Sequence, residues 1–221
     1  MIDNPLSYIL IRSNIINETG LREIRHHIET SQKTDLSVFD PQKSNETGTK
    51  QWRVDKNVRD TQHVEMGSLF PKIVDLFKDT VREIINPFYG VQISESEVPQ
   101  ILSYTVGGHY CPHIDGESLW QTPDGELIWK KSTDRDLSIV FYLNDDFEGG
   151  DFIFPDHKIR VRPEPGMLVC FPSNHHYKHG VEPVTKGKRY SIVCWAQVKG
   201  FQTMEEQNRE LSQKYDMVIN N

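Results

Sequence analysis

Hydrophobic positions at helical spacing mark the first part of the chain. Apolar residues three or four positions apart run through residues 18–30 and, over a longer stretch, through residues 66–86. This spacing predicts two amphipathic helices, and Pro87 is expected to end the second one. Residues 35–62, which lie between them, are polar and rich in turn-forming residues. They predict a long loop or a mobile segment.

The pattern changes near residue 97 to short apolar runs separated by glycine and proline. These runs predict strands, which we place at residues 100–106, 137–144, 151–155, 167–172, 175–181 and 189–197. Many short strands with closely spaced turns are typical of a β-sandwich or a β-barrel. Residues 202–216, after the last strand, predict a weakly amphipathic helix at best.

The length of 221 residues corresponds to one domain. We therefore expect a single, mainly-β domain over residues 1–221 that is supported by N-terminal helices. In this prediction residues 1–96 form helices and loops, residues 97–200 form the β-rich part, and residues 201–221 form a tail with helical potential.

Composition narrows the function. The chain has 25 lysine and arginine residues against 32 aspartate and glutamate residues, a net charge of −7. This argues against a binder of nucleic acid or anionic membrane, because neutralising phosphates requires clustered cations. The three cysteines lack CxxC spacing, which argues against a disulfide scaffold and a thiolate zinc site. With neither a signal-peptide pattern nor an apolar run of ~18 residues, we expect a cytoplasmic protein in a reducing setting.

Two short segments carry the candidate chemistry. His113 and Asp115 are two positions apart, and alternate residues of a strand point to the same face, so both side chains can reach one metal ion. His179, in a later predicted strand, is the candidate third ligand. Two histidines and one carboxylate, with the other coordination positions open, form the facial triad of non-haem Fe(II) oxygenases.

Two neighbouring residues offer alternatives to these ligands. His175 would share a strand face with His179 if this stretch were extended. We favour His179 because a glycine follows it and because Arg189 lies ten residues further on. Cys111 would share the face of His113, but a small buried residue is the simpler interpretation.

A single arginine points to an anionic ligand. Alternation places Arg189 and Trp195 on one face of the last predicted strand, so Arg189 is expected to point into the same interior as His179, from an adjoining strand. A buried arginine needs an anionic partner, and a dicarboxylate would supply one bidentately. The alternative is an internal ion pair with an aspartate or a glutamate.

These residues together resemble the prolyl 4-hydroxylase branch of the Fe(II)/2-oxoglutarate dioxygenases, over residues 97–197. The resemblance rests on four blocks: ExxQILxY ending at Tyr104, GGxYxPHxD ending at Asp115, YLNDDFEGGDFIFP, and HGVEPVTKGKRYSIVCW beginning at His179. It implies a double-stranded β-helix, a jelly-roll barrel with helices packed outside its larger sheet. It also implies that Fe(II) is bound by His113, Asp115 and His179.

The resemblance assigns roles to five further residues. Arg189 would form a salt bridge with the distal carboxylate of 2-oxoglutarate, and Tyr104 would hydrogen-bond the same end. Tyr110, Arg135 and Trp195 would line the substrate side, as in relatives that hydroxylate peptides.

The reaction that the resemblance implies is hydroxylation of an unactivated C–H bond, with release of succinate and CO2 from 2-oxoglutarate and O2. The expected substrate is peptidyl proline in a peptide or protein partner, with ascorbate as a reductant. Alternatives are a relative acting on a free amino acid or another small molecule, and a non-catalytic cupin-like protein that binds metal or sugar. Nucleic-acid demethylation is disfavoured, because the stretch after His179 lacks the RxNxTxR pattern of the alkylation-repair enzymes.

Two features depart from the pattern or fall outside it. Arginine stands at position 189, where collagen-type members usually have lysine. Residues 116–136 match no motif but occupy the position of a substrate-covering loop in the family. We expect residues 116–136 and 35–62 to act as lids over an extended chain.

Overall fold

The structure, a computed structural model, describes residues 9–47, 49 and 51–216, without the side chains of residues 41, 42 and 45. Residues 217–221 of the predicted tail and residues 1–8 of the N-terminal segment lie outside this part. The chain is mostly β-sheet with some helices, which confirms the predicted mainly-β class. Among the described residues, no helix is long and apolar enough to cross a membrane.

Five α-helices are present among the described residues. They are α1 (Glu18–Thr30), α2 (Pro41–Thr47), α3 (Phe70–Thr80), α4 (Asn86–Tyr89) and α5 (Met204–Tyr215). Helices α1 and α5 lie within the predicted segments 18–30 and 202–216. Single 3₁₀ turns cover Gly67–Leu69, Pro155–His157 and His175–Tyr177. Helix α5 begins with a capping box, in which Thr203 and Glu206 each accept a hydrogen bond from the other's backbone N–H.

The prediction that Pro87 ends the second helix is wrong. A π-helical turn at Val81–Ile85 joins α3 to α4, and the Asn86 N–H donates to the Val81 carbonyl five residues back. This wider turn lets the helix continue through a proline, which lacks an N–H and crowds the preceding turn. The helix ends at Gly90 instead, whose φ of +64° is left-handed and favours glycine.

The strands are short except for the last. In chain order they are β1 (Leu10–Arg12), β2 (Lys33–Asp35), β3 (Val38–Phe39), β4 (Trp52–Arg53), β5 (Arg59–Asp60), β6 (Gln62–Val64), β7 (Ile93–Ser96), β8 (Gln100–Tyr104), β9 (His109–His113), β10 (Glu117–Gln121), β11 (Leu127–Lys131), β12 (Leu137–Tyr142), β13 (Glu148–Gly149), β14 (Phe152–Phe154), β15 (Ile159–Val161), β16 (Leu168–Pro172), β17 (His179–Val181), β18 (Val184–Lys186) and β19 (Arg189–Val198).

Two antiparallel sheets organise these strands. The large sheet has the order β1-β16-β12-β19-β8-β6-β2, and β7 also pairs with β19. The small sheet has the order β15-β14-β17-β9-β5. Strand pairs β3–β4, β10–β11 and β13–β18 form separate two-stranded sheets.

Both segments predicted as lids contain regular structure. Residues 35–62 are not a structureless loop, because they include β3, α2, β4 and β5. Residues 116–136 contain the hairpin β10–β11, in which Leu119 pairs with Trp129. Helix α5 contacts this hairpin: the Lys130 ammonium donates to the Asn208 side chain at 2.5 Å, and the Lys131 N–H donates to the Gln207 side chain at 2.6 Å.

The large sheet separates two cores by side-chain alternation. On its outer face, Phe141 and Ile192 pack with residues of α1 and α3, and Phe141 meets Phe77 edge to face with ring centroids 5.0 Å apart. On its inner face, Val140 and Tyr142 join side chains of the small sheet. The two sheets therefore enclose an interior, and α1 and α3 pack on the outer side of the large sheet.

Candidate metal centre and pocket

Three side chains converge in the interior. The Asp115 carboxylate lies 3.5 Å from the His113 Nε2 atom through one oxygen and 3.3 Å from the His179 Nε2 atom through the other. Each residue offers a ligand atom within 4.8 Å of the others. Backbone pairing positions the histidines, because His113 at the end of β9 lies opposite His179 at the start of β17. Asp115 is not on the strand as predicted, since β9 ends at His113 and Asp115 lies in a bend.

Backbone hydrogen bonds fix the orientation of both imidazoles. The Nδ1 atom of His113 lies 2.9 Å from the Cys111 carbonyl, and that of His179 lies 3.0 Å from the Tyr177 carbonyl. A carbonyl can only accept, so each Nδ1 carries a proton, and in the neutral imidazole the lone pair is on the Nε2 atom that faces Asp115. Two aimed lone pairs beside a carboxylate form a nitrogen and oxygen donor set for a transition metal.

Two hydroxyl groups hydrogen-bond to Asp115, one to its carboxylate and one to its backbone carbonyl. The Ser138 hydroxyl of β12 donates to Asp115 Oδ2 at 2.7 Å and also lies 2.7 Å from the Ser173 hydroxyl. The Thr133 hydroxyl donates to the Asp115 carbonyl at 3.2 Å. These contacts orient a ligand that lies outside a regular strand.

Electrostatics favour the metal-binding protonation states of Asp115 and His113. Burial would raise the pKa of Asp115, but His179 and His113 outweigh burial and hold that pKa well below its ordinary value. Burial, followed by the neighbouring His179, lowers the pKa of His113, so that the imidazole stays neutral at pH 7. An ionised carboxylate and neutral imidazoles are the forms that bind a metal.

Arg189 lies across the interior from these residues. It begins β19, a strand of the large sheet that pairs with β12, β8 and β7. The prediction that Arg189 lies on a strand adjoining that of His179 is therefore wrong, because His179 begins β17 in the small sheet. Its side chain is 1% exposed, and no carboxylate lies within 4.0 Å of its guanidinium among the described residues. The Nε atom has no hydrogen-bond partner in this part of the chain, and Nη1 reaches only the Ser191 hydroxyl, at 3.3 Å. An unpaired buried cation of this kind calls for an anionic ligand.

Two tyrosines flank that guanidinium. Tyr104, predicted from the sequence, has its ring centroid 4.8 Å from the guanidinium carbon, and Tyr142, which was not predicted, lies at 5.1 Å. The buried Tyr142 hydroxyl has no hydrogen-bond partner among the described residues, and burial raises its pKa while Arg189 opposes the rise. Strand alternation could have identified Tyr142, because it shares the inner face of β12 with Ser138. Gly150 permits the close packing, since an added Cβ would lie 3.1 Å from the Arg189 Cδ atom.

The predicted substrate-side residues also line this interior. The Tyr110 ring stacks on His113 with ring centroids 3.6 Å apart, and the Arg135 guanidinium lies 3.8 Å from the Trp195 ring centroid. Arg135 is also paired bidentately with Glu97, with nitrogen–oxygen distances of 2.5 and 2.8 Å. The charge of Arg135 is therefore neutralised within the protein.

The two alternative ligands lie elsewhere. His175 is part of a 3₁₀ turn and not of an extended strand, so it does not share a face with His179. Its Nδ1 atom lies 2.6 Å from a Glu117 carboxylate oxygen, and its ring stacks on Trp129 with centroids 4.9 Å apart. The half-buried Cys111 thiol donates weakly to the Asn57 carbonyl at 3.4 Å. Neither residue belongs to the metal-competent cluster found among the described residues.

The interior opens into a cavity of about 330 Å³, a volume suited to a small cofactor with part of a substrate. His113, Asp115, His179 and Arg189 all line it. Residues 36–39 and Trp52, from the segment predicted as a lid, form another part of its wall.

Comparisons with known proteins find a matching family model and similar sequences. Residues 99–197 match the family model described as the 2OG-Fe(II) oxygenase superfamily. A putative prolyl 4-hydroxylase of Acanthamoeba polyphaga mimivirus is 27% identical over 208 residues, which cover 90% of this chain and 78% of the relative. Human prolyl 3-hydroxylase 2 is 40% identical over 90 residues, which cover 37% of this chain. Those residues span only 13% of the human protein.

Solved structures show the same fold at low sequence identity. A prolyl hydroxylase from Trichoplax adhaerens, in complex with a peptide fragment of the hypoxia inducible factor oxygen degradation domain, aligns with a TM-score of 0.64 and 16% identity over 93% of this chain and 87% of that chain. The viral collagen prolyl hydroxylase of Paramecium Bursaria Chlorella virus-1 aligns with a TM-score of 0.57 and 17% identity over 86% and 95% of the two chains.

Proposed function

Because this chain belongs to the 2OG-Fe(II) oxygenase superfamily, we propose that it hydroxylates an unactivated C–H bond in a reaction that depends on Fe(II), 2-oxoglutarate and O2 and releases succinate and CO2. One observation carries the proposal. Two oriented imidazoles and a carboxylate face, across one cavity, a buried guanidinium that has no carboxylate partner among the described residues.

The donor set fits a ferrous ion. His113, Asp115 and His179 supply two nitrogen ligands and one oxygen ligand and leave the remaining positions open, as non-haem Fe(II) sites require. With the ion bound, the metal would balance the charge of the Asp115 carboxylate, which in this structure lies beside His113 and His179. Ser138 would hold the carboxylate in place during turnover.

The opposite wall fits a dicarboxylate. Arg189 would bind the distal carboxylate of 2-oxoglutarate through its planar guanidinium, with Tyr104 beside it. The unpartnered Tyr142 hydroxyl is a further donor at this end. When bound, iron and 2-oxoglutarate supply the oxidative chemistry that activates O2, and ascorbate would serve as a reductant.

The chain itself contributes orientation and exclusion of water. Phe152 and Phe171 pack against the His179 ring, with centroids 5.3 and 4.6 Å away, so the side of His179 that faces the protein is apolar. Tyr110 covers His113 in the same way. Fixed ligands beside these aromatic rings bring the reacting atoms together, and the rings limit the access of water to the histidines.

The proposed substrate is a prolyl residue of a peptide. Support comes from the relatives named as prolyl 3- and 4-hydroxylases and from the Trichoplax enzyme that was solved with a peptide. The aromatic rings of Tyr110 and Trp195, with Arg135 over Trp195, would line the substrate side. Aromatic surfaces of this kind suit proline rings.

We also infer that the two sheets form a double-stranded β-helix and that residues 1–221 make a single catalytic domain. Support comes from the fold similarity above and from the shared interior, to which Tyr104 and Val140 contribute from one sheet and Phe152 and Val181 from the other.

Succinate release tests the function directly. Protein, Fe(II), 2-oxoglutarate and ascorbate would be combined with proline-containing peptides, free proline or methylated DNA. We expect succinate formation that is stimulated by a peptide and is accompanied by a mass increase of one oxygen atom on proline. Succinate formation stimulated by free proline alone would move the assignment to a small-molecule hydroxylase, and no 2-oxoglutarate turnover with any substrate would favour a cupin-like binding protein.

A further inference from the structure

Arg59 occupies a position in the pocket that the proposed function leaves without a role. It lies on β5 at the edge of the small sheet, opposite Tyr110 of β9. Its guanidinium carbon is 4.6 Å from the Tyr110 ring centroid, and Tyr110 in turn stacks on His113. Arg59 thus ends a stack of three side chains that begins at the candidate metal centre, and it lines the same cavity.

The charge of Arg59 is not balanced within the described part of the chain. No carboxylate lies within 4.0 Å of its guanidinium there, and its Nε atom is buried without a hydrogen-bond partner. The neighbouring Lys56 differs, because its ammonium pairs with Asp35 at 3.1 Å and with Asp60 at 3.3 Å. These two acidic residues therefore pair with the lysine and not with the arginine.

The other charges of the cavity already have partners or assigned ligands. Arg135 is paired with Glu97, and Asp115 is shared by two histidines. Arg189 is the proposed anchor of 2-oxoglutarate. The remaining cation that lines the cavity, within the described residues, is Arg59.

We propose that Arg59 binds a carboxylate of the substrate, next to the carbon that is hydroxylated. This inference rests on the proposed function and specifies its substrate class. A guanidinium presents a planar pair of donors to a carboxylate, and stacking on Tyr110 reduces the freedom that such a contact would otherwise cost. The carboxylate belongs either to an acidic side chain beside the target residue in a peptide or to the C-terminus of the target residue itself.

Matched probes separate these two sources. The first pair is an N-acetylated, C-amidated peptide with aspartate beside proline and the same peptide with asparagine. The second pair is N-acetylproline and its amide. Binding of each probe would be measured by calorimetry under anaerobic conditions on protein loaded with Fe(II) and 2-oxoglutarate.

We expect the wild type to prefer the carboxylate member of one pair by roughly ten- to a hundredfold, the range of a hydrogen bond to a charged group. The pair that shows this preference identifies the source. Arg59→Gln should abolish the preference while leaving the binding of the neutral member unchanged. Arg59→Lys, which keeps the charge but not the planar fork, should retain part of it, and Lys56→Gln is the matched control that should retain all of it.

Equal affinities within both pairs in the wild type would overturn the inference, as would a preference that survives Arg59→Gln or an absence of binding by both carboxylate probes. The proposed function fails separately, through an absence of succinate formation from 2-oxoglutarate. Circular dichroism and an anaerobic titration with Fe(II) show whether the Arg59→Gln variant folds and keeps its metal centre, and uncoupled succinate formation by Lys56→Gln, measured without any probe, should equal that of the wild type.

Discussion

The two faces of the large sheet use the same strands for different purposes. On β12, Phe141 points outward to the helices and reaches Phe77, whereas Ser138 and Tyr142 point inward to Asp115 and Arg189. The outer face is apolar and tightly packed against α1 and α3. The inner face carries hydroxyls and an unpaired guanidinium around a cavity.

This difference shows how a small domain can contain a buried charged site that lowers its stability. Burial of a charge without a partner is unfavourable, so the inner face cannot be the main source of stability. The outer face supplies hydrophobic burial a few ångströms away on the same backbone. Substitutions on the two faces should therefore separate activity from stability.

The largest effect is expected from Asp115→Ala on the inner side. It removes the oxygen ligand and the only carboxylate of the metal-competent cluster identified among the described residues. Iron binding, followed by metal analysis after dialysis, and succinate formation should both be lost, whereas the melting temperature of the metal-free protein should not fall. Retention of turnover would contradict the assignment of the metal centre.

On the outer face, Phe141→Ala should cost about 3–5 kcal/mol in the free energy of unfolding, because it leaves a cavity in a fully buried cluster. Chemical denaturation measures this loss. The folded fraction should keep the 2-oxoglutarate KM of the wild type. A changed KM at unchanged stability would show that the two faces are not independent.

Arg189→Met is expected to act on binding without a stability cost. It should raise the 2-oxoglutarate KM by at least ~30-fold, because truncating one partner of a buried charge pair costs roughly 2–5 kcal/mol. The melting temperature without ligand should stay the same or rise, since the guanidinium has no carboxylate partner in the described structure. Arg209→Met, at an exposed arginine, is the control and should change neither quantity.

Ser138→Ala should give the smallest of these effects. It removes the hydroxyl that orients Asp115, and such losses typically weaken metal affinity by about 10- to 100-fold. Titration with Fe(II) under anaerobic conditions measures the change. Ser118→Ala, at an exposed position of β10, should leave the metal affinity as it is, and an equal effect in both variants would exclude a specific role for Ser138.

Local patterns predicted much of this arrangement. The alternation along β19 correctly separates the inward Arg189 and Trp195 from the outward Ile192, because side-chain direction in a strand depends only on position. The spacing of His113 and Asp115 pointed to one centre, and the structure brings them together with His179. The outline of α1 also followed from hydrophobic spacing, whereas α5 lies within residues 202–216, which predicted a weakly amphipathic helix at best.

Features that depend on contacts between distant segments could not be predicted in this way. Which strand lies beside β19 is decided by pairing across the whole chain. The prediction that Arg189 lies on a strand adjoining that of His179 is therefore wrong, because β19 and β17 belong to different sheets. The orientation of His175 depends on Glu117, 58 residues earlier in the sequence. The sequence could not predict that Arg59 lacks a carboxylate partner among the described residues, because this depends on the pairing of Asp35 and Asp60 with Lys56.

An anaerobic calorimetric titration of 2-oxoglutarate into the protein tests the central claim most directly. With Fe(II) present, we predict equimolar binding to one site, and with Fe(II) removed by a chelator we predict a large loss of affinity, because the metal and Arg189 would hold opposite ends of the same molecule. An absence of binding, or equal binding with and without Fe(II), would contradict the account of the inner face as a joint metal and 2-oxoglutarate site.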